Sequence, residues 1–292
     1  MSPVTITPHL VRLSFIMVVL LLSGFVPVKE GILSKVNPSD RVTRKEPARP
    51  AQEITPGRIQ ARTYFFKEAD KDMSYSLYVP SGYNKSRKYP LMVALHGLYS
   101  NHAQMIRYPG LTALAQKHGY IVVAPMGYNS RGWYGSQGQS SRYSIPRNLG
   151  ELSEKDVMNV LGIIRGEFNV NDDRIYLMGH SMGGGGTWHL GMKHPDIWAA
   201  LAPVAPAPPR NIRDLPKIRH LPVIVVQGDK DGLVRSSRVW VARMKELGMN
   251  HKYIEVKGGG HIRPAFEKLP DIFNFFNRHT RVPPNAKRPT GK

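Results

Sequence analysis

Short apolar runs that predict strands alternate along this chain with longer stretches that predict helices. The predicted strands cover residues 58–66, 73–79, 91–95, 120–125, 174–178, 198–204, 222–227 and 252–256. The predicted helices cover residues 103–118, 153–168, 182–194, 236–247 and 263–278. The first two strands flank a charged turn at residues 68–72 and form a predicted antiparallel pair. The later alternation predicts an α/β fold, with a mostly parallel eight-stranded sheet, helices on both faces and right-handed crossovers.

The two ends of the chain differ in composition from its middle. Residues 58–278 predict one α/β domain, because 292 residues with 41% hydrophobic content suit a single large core. Residues 29–57 are rich in Pro, Lys and Arg and predict a linker, and residues 279–292 predict a disordered basic tail. In residues 1–28, Arg12 precedes an apolar run that is typical of a secretory signal and short for a membrane span.

The signal and the composition together indicate where the protein acts. We predict a cleaved signal and a secreted or periplasmic protein, with an uncleaved anchor as the alternative, because no small-x-small cleavage motif follows the apolar run. The chain has no cysteine, which is compatible with export but does not require it.

The net charge of +20 does not predict a nucleic-acid partner. Residues 51–280 still hold 30 Lys and Arg against 18 Asp and Glu, so the excess is spread over the domain. A nucleic-acid interface needs clustered basic residues with stacking aromatic rings, and neither pattern is present. We therefore predict a basic solvated surface on a monomer, and attraction to anionic polymers or to the cell envelope remains open.

A G-x-S-x-G motif lies between a predicted strand and a predicted helix, at residues 179–183 with Ser181 at its centre. In this setting the serine sits on a sharp turn with its hydroxyl exposed, and the glycines two residues away avoid collisions with neighbouring elements. The motif also arises by chance as a glycine-rich turn with an uninvolved serine. Its assignment as a nucleophile therefore depends on an acid and a base elsewhere in the chain.

Both partners follow Ser181 in loops that come directly after predicted strands. His261 lies in a glycine-rich loop after the last strand and can act as the base, and Asp229 and Asp231 follow the preceding strand. We favour Asp231 as the acid because it lies farther from the strand end and can reach the histidine loop, whereas Asp229 can brace its own loop. The other histidines after Ser181 lack such a loop and predict surface or helix positions; they are His189, His194, His220, His251 and His279.

Two backbone N–H groups are candidates for an oxyanion hole. Gly97 follows a predicted strand and allows a turn that points the N–H of Leu98 at a substrate. Met182, directly after Ser181, supplies the second N–H at the start of a helix. His96 beside this loop predicts a structural hydrogen bond and no catalytic role.

These motifs resemble the α/β-hydrolase superfamily, through residues 95–97, 179–184, 228–231 and 260–261. The pattern is most similar to esterases grouped with feruloyl esterases, acetylxylan esterases and polyhydroxybutyrate depolymerases, and to single-domain relatives of prolyl oligopeptidase. The resemblance spans residues 58–278, and it implies that the second aspartate of the Gly-Asp-x-Asp segment, Asp231, is the acid. One departure is the lack of cysteine, since exported members often carry disulfides.

The substrate range has weaker signals. Residues 126–149 follow a strand at the predicted active edge and carry Trp133 and Tyr134, which can form an aromatic wall for an acyl or aryl group or can anchor the loop to the body. The segment at residues 205–221 is short and proline-rich, so it leaves no room for the large lid that lipases of this fold insert there. An open cleft favours polymeric, polar or short-acyl esters over long-chain lipids.

The sequence thus predicts a secreted serine carboxylesterase that works through an acyl-enzyme without a cofactor or a metal. Its expected substrates are short-acyl, aryl (feruloyl-like) or polyester compounds. The alternatives are a peptidase of prolyl-oligopeptidase type, an acyltransferase with the same three residues, and a non-catalytic binding protein on this fold.

Overall fold

An eight-stranded sheet crosses the part of the chain that the computed structural model describes, residues 53–281. The strands, in chain order β1 to β8, are Ile59–Phe66, Lys71–Tyr78, Tyr89–Leu95, Ile121–Pro125, Val170–His180, Ala200–Val204, Val223–Gly228 and His251–Val256. Their order across the sheet is β1-β2-β4-β3-β5-β6-β7-β8. Only β2 runs against its neighbours, so the predicted mostly parallel sheet is confirmed.

Seven α-helices cover the sheet within residues 53–281. They are, as α1 to α7, His102–Met105, Leu111–His118, Leu149–Glu167, Met182–Lys193, Val234–Glu246, Arg263–Glu267 and Leu269–Asn277. Two predicted continuous helices are each broken in two, which corrects the prediction. Pro109 and Gly110, the latter at φ 88°, separate α1 from α2, and Pro270 near the start of α7 has no N–H to continue α6.

The hydrophobic core lies on both faces of the sheet, as alternation along a buried strand requires. In β3, Leu91 and Val93 face one side, where α3, α4 and α5 pack, whereas Met92 and Ala94 face the other side, where α2 and α7 pack. Because β3, β5, β7 and β8 are parallel, the loops at their carboxyl ends meet at one edge of the sheet. That edge holds every residue that the motifs single out as catalytic.

The ends of the described region differ slightly from the predicted boundaries. The predicted signal, residues 1–28, and all but the last five residues of the linker lie outside the described residues, as do residues 282–292. The first three residues of the predicted tail are held against the body, since Arg281 donates its N–H to the Asp173 carbonyl at 2.8 Å and pairs with the Asp173 carboxylate at 2.9 Å. Among the described residues, no helix is long and apolar enough to span a bilayer.

Candidate active site

Ser181 lies on a sharp turn between β5 and α4, with φ 58° and ψ −115°. A non-glycine residue in this region of backbone space costs about 1–3 kcal/mol, so the surrounding structure must hold it there. Three backbone hydrogen bonds do so: the Ser181 N–H donates to Val204, and the Ser181 carbonyl accepts from Gly185 and Ala207. The strained turn leaves the hydroxyl partly exposed at the edge of the sheet.

The glycines two residues on either side of Ser181 are required by close approach. A Cβ on Gly179 would lie 2.1 Å from the Gly183 carbonyl oxygen, and a Cβ on Gly183 would lie 2.2 Å from the Leu95 carbonyl oxygen. Both distances are far below van der Waals contact and both involve backbone atoms, so no side-chain movement could relieve them. This geometry is the physical reason for the G-x-S-x-G spacing predicted from the sequence.

The structure brings Ser181, His261 and Asp231 together although 80 residues separate the first two. His261 Nε2 lies 2.8 Å from Ser181 Oγ, and His261 Nδ1 lies 2.7 Å from Asp231 Oδ2. An ionised carboxylate only accepts hydrogen bonds, so Nδ1 carries the proton and Nε2 accepts from the serine hydroxyl. A hydroxyl, a neutral base and an orienting carboxylate are the groups needed to form and break an ester with a serine.

Asp231 is held in position by more than the histidine. It is 7% exposed, and its carboxylate accepts from the N–H of Leu233 at 3.0 Å and from the Gln227 amide at 2.7 Å. Burial acts to raise the pKa of Asp231, but the Leu233 N–H, His261 and Gln227 together outweigh it and the pKa is lowered. Asp231 is therefore an anion at neutral pH.

No hydrogen bond or ion pair joins Asp229 to His261 among residues 53–281. Within the described region the Oδ1 atom of Asp229 is buried without a hydrogen-bond partner, and its N–H donates to Val256 at 3.2 Å. The geometry thus favours Asp231 over Asp229 as the partner of His261. Sequence reasoning missed Gln227, whose amide is fixed in turn by the Ser237 hydroxyl at 2.7 Å, although a polar residue at the end of a buried strand was a usable signal.

The two predicted oxyanion donors lie beside Ser181. Gly97 is so close that a Cβ on it would lie 3.5 Å from Ser181 Cβ, which places the following Leu98 at the site. The Leu98 N–H has no acceptor among residues 53–281, and the Met182 N–H belongs to the first turn of α4, where helices leave such donors free. His96 is buried under this loop, with its ring nitrogens 2.8 Å from the carbonyls of Gly97 and Met126.

His180 is a residue of the site that the sequence did not single out. It is 5% exposed, and its Nε2 lies 2.9 Å from the carbonyl oxygen of His261. A carbonyl cannot donate, so Nε2 carries the proton and Nδ1 accepts from the Tyr108 hydroxyl at 2.7 Å. Tyr108 and His180 therefore hold the backbone of His261. Burial is the largest influence on the pKa of His180 and lowers it to about 4, and a charge on His261 acts in the same direction. The hydrogen bond to the His261 carbonyl and the charge of Asp231 raise this pKa, but by less.

The low pKa of His180 predicts a loss of stability in acid. The unfolded chain takes up this proton near pH 6.5, whereas the folded protein takes it up only near pH 4. The free energy of unfolding should therefore fall as the pH drops from about 6.5 to about 4, by up to about 3 kcal/mol. His180→Gln removes this titration, and urea unfolding across that range should show a shallower pH dependence. The exposed His220 provides the control, and equal slopes in His180→Gln and His220→Gln would contradict the assignment.

Of the two roles predicted for Tyr134, the structure contradicts the aromatic wall and agrees with the anchor for its loop. Its side chain is completely buried, its hydroxyl donates to the His96 carbonyl at 3.2 Å, and a Cβ on Gly186 would lie 2.6 Å from its ring. Tyr134 therefore anchors its loop to α4 and cannot form a wall for a substrate. Trp133 and Tyr134 both have positive φ values, which turn the tyrosine inward, and the missing side chain of Gly186 on α4 leaves room for its ring.

Trp133 stays partly exposed and lines a recess of about 250 Å³, but Ser181 is not among the residues of that recess. The loop that carries Trp133 is tied to α3. The buried Asp156 carboxylate accepts from the N–H groups of Gly127 and Tyr128 and from the Tyr64 hydroxyl. The loop thus has a fixed start, which makes the recess a defined feature.

No group of three or more His, Asp or Glu side chains within residues 53–281 has an arrangement that could hold a metal ion.

Comparison with known proteins places these features in a family. A family model described as "Putative esterase" matches residues 67–269. "Putative esterase NocK" of Nocardia uniformis subsp. tsuyamanensis is 32% identical over 150 residues, which are 49% of this chain and 40% of NocK. The bifunctional acetylxylan esterase/xylanase XynS20E of Neocallimastix patriciarum is 26% identical over 164 residues, which are 56% of this chain and 22% of that protein. The chain thus spans less than half the length of these two relatives.

A solved structure supports the fold. The feruloyl esterase module from Clostridium thermocellum superimposes with a TM-score of 0.61 at 17% identity, over 80% of this chain and 92% of that one. At this identity the likeness concerns the fold alone, and it agrees with the α/β-hydrolase architecture predicted from the motifs. Because the family model matches well over half of the residues, from the second strand to the last helix, the chain belongs to this esterase family.

Proposed function

We propose that this protein is a serine carboxylesterase in which Ser181 is the nucleophile, His261 the general base and acid, and Asp231 the orienting carboxylate. The observation that carries the proposal is the chain of two short contacts, 2.8 Å from Ser181 to His261 and 2.7 Å from His261 to Asp231. Membership of an esterase family supports the choice of an ester as substrate.

The reaction follows from the positions of the atoms. Ser181 Oγ bonds to the ester carbonyl carbon while its proton passes to His261 Nε2, and Asp231 stabilises the resulting imidazolium. The carbonyl oxygen becomes an anion that the N–H groups of Leu98 and Met182 can hold, each worth about 3 kcal/mol in comparable sites. The tetrahedral species then expels the alcohol, which takes the proton from His261. Water repeats the sequence on the acyl-enzyme and releases the acid.

The connection between β6 and β7 supports small or polar acyl groups. It contains a single short 3-10 helix, Ile212–Ile218, so no lid is inserted between these strands. Lid-gated lipases depend on such an insertion to shelter a long acyl chain. We therefore propose that short-acyl and aryl esters, including esters carried by polymers, are the substrates.

A series of nitrophenyl esters tests this range. We expect kcat/KM to fall as the acyl chain lengthens from acetate to palmitate, because the site offers no lid to cover a long chain. Activity should also rise smoothly through the solubility limit of the substrate, without a step. Ser181→Ala gives the background rate. Strong activity on long-chain triglyceride emulsions, with activation above the solubility limit, would show that a lipid-binding surface forms after all.

We also propose that the protein is exported, and the only support for this proposal is the signal-like sequence of residues 1–28. Expression of the full-length sequence, cell fractionation and N-terminal sequencing test this: a cleaved signal gives a shortened protein in the periplasm or medium, whereas an uncleaved anchor gives the original N-terminus in the membrane fraction. Recovery from the cytoplasm with the original N-terminus would contradict export.

A further inference from the structure

Two recesses meet at one arginine. The first, about 310 Å³ in volume, lies between Ser136, Lys193 and Lys217, and the second, about 250 Å³, is the recess beside Trp133. Gly138 and Arg210 line both recesses, so the two are neighbours, and together they are called the Arg210 groove. Each recess is close to the lower end of the range for small-molecule sites, roughly 300–1,000 Å³.

The groove contains uncompensated positive charge. Arg131 and Arg210 line it with exposed side chains, and neither has a carboxylate partner among residues 53–281. The arginine at 210 stands over Gly138, where a Cβ would lie 3.3 Å from its Nη1 atom. The other cations of the groove are already paired, Lys193 with Glu154 and Lys217 with Asp214, both at 2.8 Å. Two free guanidinium groups favour an anion, because their planar forks match a carboxylate.

The groove also has groups suited to a hydroxylated ring. Trp133 is a partly exposed aromatic side chain that lines the groove, and Ser140 is an exposed hydroxyl residue in the same lining. Ser136 is 3% exposed, and its Oγ atom has no hydrogen-bond partner in the described region. A buried hydroxyl without a partner costs free energy, so the wall of the groove contains an unsatisfied polar group at Ser136. A simple inorganic anion would leave these groups unused.

A short segment connects the groove to the turn that carries Ser181. The N–H of Ala207 donates to the Ser181 carbonyl at 2.9 Å, and Arg210 follows only three residues later, a reach of about 10 Å. The N–H of Arg210 in turn donates to the Ser136 carbonyl at 3.2 Å, which fixes the groove against this segment. The segment from Ala207 to Arg210 thus connects the turn at Ser181 to the groove, although Ser181 itself lines neither recess.

We propose that the Arg210 groove binds an anionic saccharide, with a sugar carboxylate on Arg131 and Arg210 and a sugar ring against Trp133. The binding is independent of catalysis. Its role, to hold an acidic polysaccharide whose ester bonds are cut at Ser181, rests on the proposed function.

Calorimetry on the full chain carrying Ser181→Ala tests binding without turnover. The probes are trigalacturonate, neutral xylotriose and inorganic phosphate, and we expect trigalacturonate to bind at least about tenfold more tightly than the other two. Affinity should weaken as salt rises, because exposed charges are screened. Equal affinity for xylotriose would overturn the role of the charge, and equal affinity for phosphate would overturn the role of the ring. Absence of trigalacturonate binding would overturn the proposal itself.

Variants locate the site. Arg210→Ala and Arg131→Ala should each weaken trigalacturonate binding about tenfold. Arg210→Lys should reduce the affinity by less, because the positive charge remains. Arg235→Ala, which removes an exposed cation from α5, is the matched control and should bind as the parent does. A loss as large in Arg235→Ala would mean that only net charge matters. These arginines are exposed, so their replacement should leave the melting temperature unchanged.

Kinetics separate this proposal from the esterase assignment. With Ser181 present, Arg210→Ala should raise KM for an acetylated trigalacturonate and leave nitrophenyl acetate unaffected. If neither ester is cleaved by the unmodified protein, the proposed function fails while the binding result stands. If both esters are cleaved and Arg210→Ala changes neither, the groove plays no part in substrate binding.

Discussion

Ser181→Ala should lower kcat for nitrophenyl acetate by at least about 10⁴-fold, because removal of the nucleophile leaves only substrate binding and the oxyanion donors. The fold should persist, since the three backbone hydrogen bonds that hold residue 181 do not involve its side chain. Steady-state kinetics give the loss in activity, and circular dichroism with thermal melting checks the fold.

A fluorophosphonate probe provides a second measurement. It should label the unmodified protein at Ser181, as read by peptide mass spectrometry, and should not label Ser181→Ala. The partly exposed Ser236 on α5 gives the control, because Ser236→Ala should keep full labelling and activity. Labelling at a different serine would remove Ser181 from the mechanism.

Asp231→Asn should lower kcat by about 10³- to 10⁴-fold with little change in KM. The amide would donate to His261 Nδ1, where the carboxylate now accepts, and the ring proton would move to Nε2. The base would then have no lone pair facing Ser181 Oγ, only 2.8 Å away. Substrate binding would be nearly unaffected, because Asp231 lies behind the histidine and is 7% exposed.

Asp229→Asn is the matched control, two residues away in the same loop. It should lower kcat by less than about tenfold, because in the described region the hydrogen bond to His261 Nδ1 comes from Asp231 and not from Asp229. Parallel measurement of kcat and KM for both variants on nitrophenyl acetate decides between the two acids. A larger loss in Asp229→Asn would transfer the orienting role to that residue.

The sequence predicted the strands of the sheet well because buried parallel strands are continuous apolar runs. Val223–Gly228 differs from its predicted range by one residue at each end. The start of β5 was predicted four residues late, since its first residues include the polar Asn171, Asp172 and Asp173, which lie at the exposed end of the strand. The helix breaks at Pro109 and Pro270 were missed although proline was visible, because the apolar pattern continues across both.

Some features of the candidate site could also be predicted from the sequence, whereas others could not. The spacing around Ser181 and the loops that carry Asp231 and His261 could be found by motif and order, because each lies directly after a strand of a parallel sheet. The inward direction of the Tyr134 side chain could not be predicted from the sequence, because it depends on a positive φ and on the space above Gly186. The bond from His180 to the backbone of His261 joins residues 81 positions apart, and no local pattern marks it.

The sequence by itself determined the fold class, the family resemblance and the three residues proposed for catalysis, because these depend on local periodicity, on short motifs and on their order along the chain. Only the tertiary structure decided which side chains face the substrate and which face the core. It turned Tyr134 inward, set Tyr108 and His180 behind His261, and joined Arg131 to Arg210 in one groove. Such outcomes depend on packing between segments far apart in the chain, where the space left by one element sets the orientation of another.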